Sequence, residues 1–123
     1  DRRVHSLTPE GRAELDAWLA GPLEPRSTKD AHIARIFFAA RLGHEKVDAL
    51  LEEAAGAIRQ EMAALEAIEF DVVDLDTVLK AAVLRRGVEG ARFELEWIER
   101  IRRDVADDAA KVREAEGRDG EDG

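Results

Sequence analysis

Between about Asp76 and Glu114 the chain reads as one helix, "DTVLKAAVLRRGVEGARFELEWIERIRRDVADDAAKVRE". At 1.5 Å per residue such a helix is ~58 Å long, whereas a compact globule of 123 residues is only ~35 Å across. Its own chain cannot cover it. Turning each residue by ~100° places Leu84, Val88, Ala91, Leu95, Ile98 and Val105 on one apolar stripe and Leu79, Val83, Phe93, Trp97 and Ile101 on a second beside it. Arg85, Glu89, Arg92, Glu96, Glu99 and Arg100 fill the polar arc. Two adjoining stripes exceed the ~100° face that a helix ordinarily buries, so two partners are expected. One is the third helix of the same chain, packed antiparallel; the other is a second protomer across a two-fold axis. Gly87 and Gly90 lie on the apolar side, where each costs about 1 kcal/mol of helix propensity and permits close approach. The expected dimer interface is Leu79, Val83, Gly87, Gly90, Phe93, Trp97 and Ile101.

The rest of the chain divides at its turn residues. Thr8 followed by Pro9 is a helix start, because a threonine hydroxyl caps the first turn and proline has no N–H to leave unpaired there. This first helix runs to about Leu19, carries Leu15, Trp18 and Leu19 as an apolar patch, and ends at "AGPLEPRST". Ser27 or Thr28 caps a second helix, in which Ile33, Ile36, Phe37 and Ala40 share a face up to Gly43. The third, from about Glu45 to Glu69, repeats Val47, Leu50, Leu51, Ala54, Ile58, Met62 and Leu65 at three- and four-residue steps. "FDVVDLD" reads as a break rather than a strand. The expected fold is all-α: a short linker helix, a second helix, then a long antiparallel hairpin whose last helix forms the dimer interface.

Composition narrows function mainly by exclusion. The chain has no cysteine, so disulfides, thiolate metal sites and a cysteine nucleophile are impossible, and a reducing cytoplasm fits. "IARIFFAARL" is too short and too charged to span a bilayer, and a soluble cytoplasmic protein is expected. The net charge of −9 opposes binding to phosphate backbones, which demands a concentrated positive surface. That charge is unevenly placed, with eight acids against three bases from Asp104 to Gly123 and six Arg against four Glu from Arg85 to Arg103. Residues 109–123 read as an acidic, disordered tail.

No constellation supports catalysis. His5, His32 and His44 have no metal-type spacing. The neighbouring acids Glu52 and Glu53, or Asp107 and Asp108, diverge on a helix and read as solvated faces. Phosphate loops, nucleophile elbows and zinc-protease motifs are absent from the sequence, and Arg85 and Arg86 read as solvated helix charges. The chain is expected to be no enzyme and to need no metal or cofactor. Phe93 and Trp97, one turn apart, are the residues of interest: flat aromatic faces at a dimer seam serve as interface core, or line an apolar pocket for a planar effector.

In order, "RVHSLTPEGRAELDAWLAGPLEP", "RSTKDAHIARIFFAARLG", "VDALLEEAAGAIRQEMAALEA" and "AVLRRGVEGARFELEWIERIRRDV" resemble the C-terminal half of PadR-type transcriptional regulators, also described as the virulence activator alpha C-terminal domain. The resemblance covers Arg2 to about Val105 and is most specific at residues 7–19 and 85–98. It implies that a winged helix-turn-helix precedes this segment, that residues 1–7 are the end of its wing strand, and that residues 8–108 form the dimerisation and effector domain. His5 stands where the family usually has tyrosine. The lack of an initiator Met ahead of Asp1 fits a piece of a longer protein.

The resemblance further implies a homodimer that holds operator DNA through the preceding domain, a coiled-coil-like pairing of C-terminal helices, and a phenolic or planar hydrophobic effector. By position, Phe93 and Trp97 match the aromatic residues of the effector region, and Arg2 and Arg3, beside the wing, are candidates for contact with the DNA backbone. The competing reading is a stand-alone helical interaction module with no DNA or ligand role. Because the acidic balance opposes phosphate contact, the chain by itself should bind duplex DNA poorly at physiological salt. A mobility shift that is tight and salt-sensitive would contradict this.

Overall fold

A computed structural model describes residues 7–23 and 31–121. The chain separates into two compact units, Asp1–Ala31 and His32–Gly123. In the first, α1 (Pro9–Ala20) begins as expected: Thr8 is extended, Pro9 occupies the first turn, and the Gly11 amide donates to Thr8 Oγ1 at 3.0 Å. A side chain at position 11 would crowd that hydroxyl, since its Cβ would lie 3.2 Å away. The helix ends where the Gly21 amide turns back to the Trp18 carbonyl, and Pro22 cannot continue it. Leu15, Trp18 and Leu19 are all exposed.

The second unit contains α2 (Ala31–Phe37), a 3-10 turn (Ala39–Leu42), α3 (His44–Glu66) and α4 (Leu75–Glu121). The caps expected at Ser27 or Thr28 lie outside the described residues. The face predicted for the second helix forms only in part. The α-helix stops at Phe37, and the tighter turn that follows rotates the chain; Ala39 is buried while Phe37 and Phe38 stand exposed with their rings edge to face at 5.0 Å. Gly43 then reverses the path at φ 85°, a left-handed conformation that costs a side chain dearly and glycine little.

Helices α3 and α4 form the antiparallel hairpin. Leu51, Ala54, Ala55 and Ile58 of α3 bury against Ala91 and Ile98 of α4, with Leu51 and Ile98 fully enclosed. Val47, Met62, Leu95 and Val105 pack around them. Alanines at the centre let the helix backbones approach closely, so the apolar area buried per turn stays modest and the long side chains at the edges complete it.

Between the two helices, residues 68–73 have no regular structure, as "FDVVDLD" foreshadowed. A reciprocal cap starts α4: the Thr77 amide donates to Asp74 Oδ1 at 2.9 Å, and the Val73 and Asp74 amides donate to Thr77 Oγ1. Those bonds from Thr77 hold the Asp74 carboxyl below its usual range. At its far end α4 runs past the expected stop near Glu114 to Glu121, so residues 109–121, expected to be a disordered tail, continue the helix. Alanines and alternating charges favour helix, and Arg118 pairs with Glu114 one turn back at 3.6 Å.

Opposite charges cross the hairpin along its length. Arg102 donates to both carboxylate oxygens of Asp48, at 2.8 and 3.1 Å; Arg59 faces Glu99, Arg92 faces Glu66, and His44 Nε2 lies 2.7 Å from Asp108 Oδ2. Each exposed pair contributes little alone, but a shift of one turn would break all of them. The Arg102 hydrogen bonds lower the Asp48 pKa from 3.8. With the folded value depressed, this contribution is full above pH ~3.8 and disappears as pH falls through the lower folded value. Asp48→Asn should therefore flatten the acid side of the stability profile below about pH 4, measured by denaturant titration across pH; an unchanged slope would contradict the pairing.

Candidate interaction face on the last helix

Helix α4 has 47 residues and α3 has 23, or ~70 Å against ~35 Å. The side of α4 that meets α3 is marked by Ala91 and Ile98. About 110° around the helix lies a second line of residues: Leu79, Val83, Arg86, Gly90, Phe93 and Trp97, at alternating steps of four and three. Leu79 is 58% exposed, Val83 71% and Phe93 65%. Nothing in the described chain covers these three large apolar side chains.

The seven residues expected at the dimer interface do not share one environment. Leu79, Val83, Gly90 and Phe93 lie open on this line. Gly87 is turned toward α3, where a Cβ would come within 3.1 Å of Leu65 Cδ1; its missing side chain serves the hairpin itself. Trp97 and Ile101 are half-buried and pack against the hairpin core. A long helix in contact with another drifts by ~20° per heptad relative to a straight wheel. Along the pair that drift turns the contact line toward the second stripe, so that Trp97 and Ile101 join Ile98 and Val105 against α3. The open stripe thus narrows to Leu79 through Phe93, with Trp97 at its edge.

Phe93 and Trp97 line none of the four cavities found along the hairpin among the described residues, two of which matter here. One, of about 780 Å³ beside the 68–73 connection, is bounded by Leu65, Phe70, Leu84 and Arg85. The other, of about 440 Å³, lies where the 3-10 turn meets α4 and is lined by Ile36, Val47, Ile101, Val105, Asp104 and the His44–Asp108 pair. Its polar residues escaped the sequence reading, which treated Asp108 as solvated; the signal was the antiparallel register that sets His44 against Asp108. Arg2 and Arg3 lie outside the described residues. Among the described residues no group of three or more His, Cys, Asp or Glu is placed to hold a metal ion, and no helix is long and apolar enough to cross a membrane.

The described residues thus form an all-helical hairpin with an overlong, partly uncovered second helix. The family model for the virulence activator alpha C-terminal domain matches residues 28–105, more than half of the chain and all of the α3–α4 core, and the chain belongs to that family. No curated protein and no solved structure matches it.

The two helix glycines can be told apart by experiment. Alanine removes about 1 kcal/mol of helix penalty at either position, but at Gly87 it must displace Leu65, whereas at Gly90 it meets nothing within 4 Å. Thermal unfolding at the lowest workable concentration should show Gly90→Ala gaining more stability than Gly87→Ala. Equal gains would mean that Leu65 yields freely.

Proposed function

We propose that this chain is the dimerisation half of a PadR-type bacterial transcriptional regulator. The family match supports a regulator-related C-terminal domain, and in this reading, as the resemblance to PadR proteins implies, a winged helix-turn-helix precedes it. The observation that carries the reading is the uncovered line of Leu79, Val83 and Phe93 on α4. Exposed large apolar residues on one line of a helix favour a partner, and the line, with Arg86 and Gly90 between Val83 and Phe93, advances by the alternating four- and three-residue steps of a helix that pairs with another helix. Gly90, open on the same line, costs helix stability and gains nothing within one chain; a second helix crossing there gives it a role.

In this reading the seam pairs two copies, and the pairing sets the spacing of two DNA-reading modules, since a two-fold dimer reads two half-sites at a fixed separation. Phe93 from both copies, flanked by Trp97, forms an apolar site for a planar hydrophobic or phenolic effector, and an effector that favours one spacing over another shifts the balance between DNA-competent and incompetent dimers. The chain itself carries out no catalysis and uses no metal or cofactor, and the regulator works in the cytoplasm.

Sedimentation velocity at micromolar concentration tests the seam, with a dimer expected. Val83→Glu and Phe93→Glu should each give a monomer with unchanged helical circular dichroism, because both side chains are exposed in the single chain. A wild-type monomer, or variants that remain dimeric, would overturn the proposal.

A further inference from the structure

The groove at the 3-10 end of the hairpin is unlike the seam in both chemistry and construction. It is formed by one chain, and its volume of about 440 Å³ lies within the ~300–1,000 Å³ typical of small-molecule sites. Its floor is apolar, made by Ile36, Val47, Ile101 and Val105. All its charged side chains other than histidine are carboxylates, with no lysine or arginine in the lining. Asp108 is engaged by His44 at 2.7 Å. Asp104, one turn earlier on α4, has no ion-pair partner among the described residues. The ring of Phe37 stands exposed at the rim, and an aromatic face attracts cations.

We propose that this groove binds a small cationic amphiphile. The apolar body lies along Ile36, Val47, Ile101 and Val105, and the cationic head sits against the Asp104 carboxylate beside Phe37. An anionic ligand of the same length is disfavoured, because its head would meet two carboxylates with only His44 to offset them. A neutral ligand would gain the apolar contact but make no charge-assisted contact with the exposed Asp104 carboxylate. The proposal does not depend on the dimer, since no residue of the open Leu79–Phe93 line enters the groove.

Isothermal titration of the full chain with decyltrimethylammonium, kept well below its micellar concentration, tests the site, with decanoate as the probe of opposite charge. Saturable binding of one cation per chain is expected, with no saturable binding of decanoate. Asp104→Asn should weaken the cation by about tenfold, the scale of one charge-assisted contact, with circular dichroism confirming the fold. Phe93→Ala should leave binding unchanged. Equal binding of both probes, many non-saturating sites, no effect of Asp104→Asn, or loss in Phe93→Ala would each overturn the assignment; the last would place the ligand at the seam.

Discussion

The close contact of α3 with α4 governs everything else in the second unit. Ala54 and Ala55 on one side and Ala91 and Gly87 on the other bring the backbones near enough for Leu51 and Ile98 to be fully enclosed. That contact is limited by the shorter helix. Because α3 spans only about half the length of α4, the end of α4 beyond Asp108 and one side of its earlier part lie outside the pair. The apolar residues stranded there are not a failure of folding. They follow from α3 packing on one side of α4 only and leaving its second apolar face open.

Close packing of small residues fixes how near the helices lie but says little about how they slide, since one alanine resembles the next. The charge pairs supply what the core lacks. Arg102 with Asp48 and Glu52, Arg59 with Glu99, and Arg92 with Glu66 run along the seam in opposite senses of chain number, and slipping by a turn sets unlike partners against each other. Individually such pairs are worth a few tenths of a kcal/mol at the surface, too little to hold the fold. Together they discriminate between registers that the alanine core would otherwise treat as near equals.

Much of this was readable in the sequence because it depends on local chemistry. Thr8 and Pro9 start α1 where they should, the 68–73 segment breaks the chain, and Leu84, Ala91 and Ile98 face the partner helix as a helical wheel requires. The family too was legible, from the stretches around residues 85–98. What escaped had a non-local cause. A straight wheel assigned Trp97 and Ile101 to the outer stripe, but two helices wound about each other shift their contact line along the axis, and both residues ended against the core. Phe37, expected on the face of Ile33 and Ile36, closes α2 with its ring exposed, and nothing in the sequence marks the change to 3-10 winding at Ala39. The groove residues Asp104 and Asp108 lie on a helix of many acids, and only the folded register distinguishes the pair that meets His44 and the end of α2.

That change of winding has a structural consequence larger than its four residues. The tighter turn buries Ala39, the smallest side chain with a Cβ, just after the exposed Phe37 and Phe38. A small residue in place of a large one leaves volume, and the carboxylates of α4 border it. The groove therefore owes its room to a local choice of helix type made between Phe37 and Gly43, while the open line of α4 lies on a face that α3 does not reach. Since neither cause depends on the other, the two surfaces can change separately: a substitution in the 3-10 turn reshapes the groove without touching Leu79, Val83 or Phe93, and one on that line leaves the groove intact.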